Sequence, residues 1–172
     1  MKINMIVATD LKNGIGLNNS IPWHFSKDMK YFKEKTIGNK NNAVVMGYNT
    51  YTSIGKPLAN RVNIILSRKK IISDSLLKSD TIVLSNPENI FKMDSFDEIW
   101  IIGGGEIYKY FLSKSHLLDE IYVTKVNNSY NCDTFFPKVP DTFYINDSNV
   151  IIDINKKNNQ TGSLEFIVYK SK

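Results

Sequence analysis

Short apolar runs alternate along the chain with polar stretches rich in glycine and asparagine. Lys2–Thr9 is almost continuously apolar, as expected of a first strand buried on both faces. Residues 10–20 lose that pattern and carry Asn13-Gly14, Gly16 and Asn18-Asn19, so a loop is expected there. Pro22 then restricts Ile21 to extended backbone. A helix is expected from a Ser26 cap to about Lys35, with Asp28 in its first turn and Met29, Phe32 and Ile37 as apolar contacts. Residues 43–46 form an apolar run that stops at Gly47, and a short helix through residues 50–54 follows. Further strands are expected at 62–67, 81–84, 98–102 and 120–126, with helices at 87–93 and 106–112. The tail alternates over 143–154 and 163–170 around a polar break at 158–162, which reads as an antiparallel hairpin. Strands interleaved with short helices, closed by a hairpin, predict an α/β fold with a mainly parallel sheet and an antiparallel edge.

At 172 residues, and without repeats or a linker rich in Pro, Gly or Ser, the chain is expected to be a single domain over 1–172. Hydrophobic residues make up 42%, enough for one core, and no run approaches the length of a membrane span. The first residues are too short and strand-like for a signal peptide. Cys132 is the single cysteine and cannot form an internal disulfide, which fits a reducing cytoplasm. The net charge of +5 fits a solvated lysine surface or an anionic small ligand. Nucleic acid is not an expected partner, because the lysines are scattered and form no stripe. Lysine is abundant, yet Arg61 and Arg68 are the only arginines, so each invites a reason. The rigid fork of arginine binds carboxylate or phosphate through two parallel bonds, which lysine cannot do.

Three segments carry candidate chemistry. Asp28 and Phe32 are four apart, so a helix places a carboxylate beside an aromatic ring, a pair suited to a flat heterocycle bearing an amino group. The helix dipole alone also favours an acid there. Gly103-Gly104-Gly105-Glu106-Ile107-Tyr108 joins a strand to a helix, where bare backbone and a helix start can meet a diphosphate or simply make a tight turn. It is not the full dinucleotide fingerprint, since Tyr108 stands at the last glycine position. Met46-Gly47-Tyr48-Asn49-Thr50 is a second junction of the same kind. Arg61 precedes the strand at 62–67 and Arg68 follows it, so the two mark opposite ends.

Taken together, these segments resemble dihydrofolate reductases in order, spacing and residue type over essentially the whole chain. The match runs through 8–16, Ile21-Pro22-Trp23, Asp28, Met46-Gly47 with Thr50, Ser53-Ile54-Gly55, Pro57-Leu58 and Arg61. It continues through 63–68, 102–108, Thr124 and Asp133-Thr134-Phe135-Phe136-Pro137. The resemblance implies about eight strands and about four helices. It also implies NADPH-dependent reduction of 7,8-dihydrofolate to 5,6,7,8-tetrahydrofolate, in support of one-carbon and thymidylate metabolism. Hydride would reach C6 of the pterin while N5 takes a proton.

On the same basis Asp28 is the acid of the pterin pocket, supported by Thr124 and by water near Trp23, with Ile21 and Tyr108 completing the catalytic group. Ile6, Ala8, Met29, Phe32, Ser53, Ile54, Leu58 and Ile102 line the folate site, and Arg61 grips the glutamate carboxylate. The cofactor is expected at Ala8, Ile15 and Gly16, at Gly47, Tyr48, Asn49 and Thr50, and at Leu66, Ser67 and Arg68. Ile102 and the run Gly103, Gly104, Gly105, Glu106, Ile107, Tyr108 complete that site, with a cis peptide between Gly103 and Gly104. Ser67 and Arg68 would receive the 2′-phosphate, and residues 14–23 resemble the loop that closes over the nicotinamide. Tyr48 departs from the family's usual basic residue, Ile21 replaces Leu or Met, and His24 has no assigned role. No metal is expected, and the chain is expected to act as a monomer. The reductase domain of riboflavin biosynthesis shares this fold and cofactor site but lacks the segment from Trp23 to Asp28. A non-catalytic protein that keeps only the fold is the reading from another class.

Overall fold

The computed structural model describes residues 1–69 and 80–172. Its strands follow the apolar runs. In chain order they are β1 (Lys2–Thr9), β2 (Gly14–Gly16), β3 (Asn42–Gly47), β4 (Val62–Leu66), β5 (Thr81–Leu84), β6 (Glu98–Gly103), β7 (Glu120–Val126), β8 (Thr134–Phe135), β9 (Phe143–Asn155) and β10 (Gln160–Ser171). Among the described residues three α-helices, α1 (Ser26–Ile37), α2 (Tyr48–Ile54) and α3 (Gly105–Leu112), connect them, with 3-10 turns at Pro87–Lys92 and Ser115–Leu117. Eight strands form one sheet in the order β5-β4-β3-β6-β1-β7-β10-β9. All neighbours from β5 to β7 are parallel, and β10 and β9 close the edge antiparallel.

The central strands are apolar on both faces because both faces are covered. Ile3, Met5 and Val7 of β1 point to the side covered by α3, where Tyr108, Phe111 and Leu112 pack. Ile6, Val44, Met46 and Trp100 point to the other side, against Tyr31 and Phe32 of α1 and Tyr51 of α2. The helices that follow β1, β3 and β6 therefore all start at the carboxyl ends of the parallel strands, where α/β sheets hold their ligands. Among the described residues no helix is long and apolar enough to cross a membrane.

Two expectations change. Residues 10–20 are not wholly loop, because β2 pairs with β8 in a second, two-stranded sheet, with Gly14 opposite Phe135 and Gly16 opposite Thr134. Two glycines in three residues carry no periodicity that a sequence reading could detect. Nor does Ser26 cap α1: Phe25 is the cap residue, with extended backbone and no side-chain cap bond. The Lys27 amide instead donates to Asp153 Oδ2 of β9 at 2.9 Å, so a distant strand satisfies a free N–H of the first turn. The polar stretches hold their turns through asparagine. All six described non-glycine residues with positive φ are asparagines, the residue that best tolerates that region.

Candidate active site

Helix α1 lays a polar–apolar–polar series along one face. Asp28, Phe32 and Thr36 fall on one face over roughly 12 Å of helix axis. At the first end the Asp28 carboxylate accepts a hydrogen bond from Thr124 of β7, which is itself buried. Burial raises the Asp28 pKa to about 6, and the Thr124 bond only partly offsets that rise. In the middle Phe32, like Leu58 and Ile102, packs against the buried cluster that contains Ile6. At the far end Thr36 donates to the Phe32 carbonyl at 2.8 Å and accepts from Nη1 of Arg61 at 2.8 Å. Arg61 is 8% exposed, and its Nε donates to the Ala59 carbonyl at 2.9 Å. Its guanidinium is thus held at one edge while burial lowers its pKa from the ordinary value. Ala8 packs against the cluster that holds Trp23, and Met29, Ile54 and Ile21 are 50%, 36% and 50% exposed.

The neighbouring edge is made of backbone. β3 ends at Gly47 and β6 at Gly103, and α2 and α3 start directly after them. A Cβ on Gly47 would lie 3.1 Å from Ile107 Cγ1, and one on Gly104 would lie 3.3 Å from Thr50 Oγ1. Gly103 has φ +116°, and a side chain there would also meet the Tyr108 ring at 3.0 Å. The Gly103–Gly104 peptide is cis, as the resemblance implied. Tyr108 is buried, donates its hydroxyl to the Ile6 carbonyl at 2.8 Å, and has its pKa pushed up by that burial. It therefore stays neutral and braces the glycine turn against β1. Leu66 ends β4 in the core, whereas Arg68 beyond it is exposed. Tyr48 opens α2 and packs on the α1 side of the sheet, and Asn49 beside it is exposed.

A carboxylate and a guanidinium at the two ends of one helix face, beside a glycine-built edge, agree with the model of the dihydrofolate reductase family, which matches residues 2–171. The chain belongs to the dihydrofolate reductase family. It is 39% identical over 139 residues to the dihydrofolate reductase of Haemophilus influenzae, covering 81% of each chain. It is 39% identical over 140 residues to that of Staphylococcus haemolyticus, covering 81% of this chain and 78% of the relative. Against that of Drosophila melanogaster the identity is 34% over 154 residues, covering 83% of each. The chain is an oxidoreductase of this family.

In this dihydrofolate reductase fold the segment between β1 and α1 is tied down at several points, and sequence reasoning found few of them. The Asp133 amide donates to the Gly16 carbonyl at 2.9 Å, and the Asn18 amide donates to Asp133 Oδ2 at 3.0 Å. Ser53 Oγ donates to the Asn19 carbonyl at 3.0 Å, so Ser53 meets the loop. Ile15, between Gly14 and Gly16, packs against the core on the α3 side. Asp10, 1% exposed, accepts the amides of Gly14 at 2.7 Å, Lys12 at 2.9 Å and Tyr130 at 3.0 Å. Burial pushes its pKa up, but those bonds outweigh it and hold the carboxyl below its usual value. The signal available in the sequence was Asp10 four residues before Gly14, a spacing that lets a carboxylate close its own turn. Trp23 is buried and packs on Tyr130, with ring centroids 5.1 Å apart.

Proposed function

We propose that the chain reduces 7,8-dihydrofolate to 5,6,7,8-tetrahydrofolate with NADPH and so supports one-carbon and thymidylate metabolism. The observation that carries this reading is the α1 face, with the Asp28 carboxylate at one end and the Arg61 guanidinium on Thr36 at the other. Dihydrofolate offers a flat amino-bearing ring at one end and a glutamate carboxylate at the other. Asp28 holds the 2-amino group and ring nitrogen, with Thr124 fixing the carboxylate. Ile6, Ala8, Met29, Phe32, Ile54, Leu58 and Ile102 form the apolar walls, with Ser53 at the rim. Arg61, already anchored through Nε and Nη1, presents its remaining N–H groups to the carboxylate.

The residues present fit the cofactor. Two helix starts, α2 and α3, stand beside glycine strand ends, and the exposed Glu106 is the one acid in their first turns. Gly47, Tyr48, Asn49 and Thr50 on one side, and Ile102, Gly103, Gly104, Gly105, Glu106, Ile107 and Tyr108 on the other, would hold the diphosphate and its neighbouring ribose. Leu66, Ser67 and Arg68 would hold the 2′-phosphate, and Ala8, Ile15 and Gly16 would face the nicotinamide. When bound, NADPH supplies the hydride for C6. The chain's own part is orientation, charge and control of water. Asp28 fixes the pterin and favours its protonated form. Trp23 and Ile21 limit solvent to the water that relays a proton to N5, and Tyr108 holds the glycine turn in register with β1.

In this reading the 172 residues work as one domain and as a monomer in the cytoplasm, without nucleic acid or membrane as partner. The test follows the absorbance of NADPH with and without dihydrofolate. Loss of absorbance only when both are present is the expected result. A chain that binds both and turns over neither would leave only a binding protein.

A further inference from the structure

The hairpin of β9 and β10 grips the residues that lead into α1. Lys156 donates its amide to the His24 carbonyl at 2.8 Å, and Phe25 forms an antiparallel bridge with Asn155. The Phe25 ring lies where Gly162 leaves space, since a Cβ there would fall 2.7 Å from it. Lys27 Nζ donates to the Ile152 carbonyl at 2.7 Å, and Lys157 Nζ donates to the Ile21 carbonyl. At the centre is Asn155, 2% exposed. Its Oδ1 accepts the amides of His24 at 3.0 Å and Lys157 at 3.1 Å, and its Nδ2 donates to the Tyr130 hydroxyl at 3.3 Å. Tyr130 is the ring on which Trp23 packs. One neutral amide thus closes its own turn, fixes the backbone beside Trp23, and orients the ring under it.

We propose that Asn155 is a positioning residue, which sets the Trp23–Phe25 backbone and thereby the start of the helix that carries Asp28. As a statement about turnover this rests on the dihydrofolate reductase reading; as a statement about Trp23 it does not. Asn155 touches neither Asp28 nor the glycine edge, so it acts through the segment it holds. Displacement of a reacting group by about 1 Å can cost roughly 10²-fold in rate, and a loosened lead-in to α1 costs part of that.

The experiment compares Asn155→Ala with Asn155→Asp. The Asp side chain still accepts both amides, and the Tyr130 hydroxyl can turn to donate to it. Asn155 lines a cavity of about 240 Å³, so the space left by the Ala side chain is open to water. The expected result for Asn155→Ala is a kcat lower by roughly tenfold with the KM for NADPH within about twofold of the parent. Acrylamide quenching of Trp23, read in a Trp100→Phe background without ligands, should rise at least about twofold as the ring loses its seat. Asn155→Asp should restore both readouts to within about twofold of the parent, which a general loss of stability would not do. If Asn155→Ala does not fold, Asn155→Ser takes its place, because the shorter hydroxyl serves its own turn but not the His24 amide. An unchanged kcat or unchanged quenching in the truncated variant overturns the proposal, as does an Asp variant as impaired as the truncation. A parent without turnover defeats the functional reading alone, and quenching then decides whether Asn155 holds Trp23.

Discussion

The two halves of the site are built from different materials. Along α1 the work falls to side chains: Asp28 against Thr124, Phe32 against the cluster that contains Ile6, Arg61 against Thr36. Along the ends of β3 and β6 it falls to backbone, and the sequence contributes mainly by leaving side chains out at Gly47 and Gly104. The first half is therefore sensitive to changes of chemistry at constant volume. The second is sensitive to added volume at constant chemistry. Arg68, exposed just beyond β4, is the exception proposed for the second half, a side chain and not backbone.

The hardest test of this contrast is an isosteric change in the first half. Asp28→Asn should fold, keep its affinity for NADPH, and lose turnover by about 10²-fold or more. The loss should shrink at low pH, where the substrate arrives protonated. Near-normal turnover at neutral pH would remove Asp28 from the site. Next comes the exception: Arg68→Ala should raise the KM for NADPH by roughly 10- to 100-fold, the worth of one or two charge-assisted bonds, with little change for NADH. Equal losses for both cofactors would show that Arg68 does not read the 2′-phosphate. Arg61→Lys should weaken dihydrofolate binding about tenfold while sparing a pterin without the glutamate tail, because an ammonium cannot copy the fork. If both substrates suffer alike, Arg61 serves only the fold.

The smaller effects test volume and then stability. Gly47→Ala adds one methyl against Ile107 and should raise the KM for NADPH several-fold while leaving dihydrofolate affinity unchanged. A matching loss on the folate side would erase the division. The last test concerns the free protein. The pKa of Asp28 is raised to about 6 in the fold, so between about pH 4 and 6 the native state holds a proton that the unfolded state has lost. Stability therefore falls as pH rises through that window. Asp28→Asn removes the cost and should stabilise the free protein at pH 7 by up to about 3 kcal/mol, with no gain below about pH 4. Urea unfolding at the two pH values measures it, and a variant less stable at pH 7 would show that the carboxylate is not strained there.

What could be read in the sequence follows from how local each feature is. β7 and β5 were delimited to the residue, because an apolar run bounded by polar residues announces both ends. The pairing of Asp28 with Phe32 was legible because helical spacing alone places them on one face. The seat of Arg61 on Thr36 lies 25 residues away, and the hold of Asn155 on His24 spans 131. Neither leaves a periodic trace. The cap of α1 was misplaced for the same reason: Ser26 is a sound local candidate, but Asp153 reaches the first turn from the far end of the chain. The glycine edge was legible as composition, whereas the contacts that require glycine there come from neighbouring elements.

The grip of the hairpin on α1 also has a bearing on synthesis. Asp28 emerges from the ribosome more than 120 residues before those that seat the start of its helix, Asp153, Asn155 and Gly162. At about 5–20 residues per second the interval is on the order of ten seconds. During it the strands from β1 to β7 can associate, but the lead-in to α1 still lacks the hairpin that holds it. A nascent chain is therefore expected to acquire the glycine edge before the α1 face is seated. A translation arrest placed before β9 should yield a polypeptide that captures nucleotide more readily than it captures a folate.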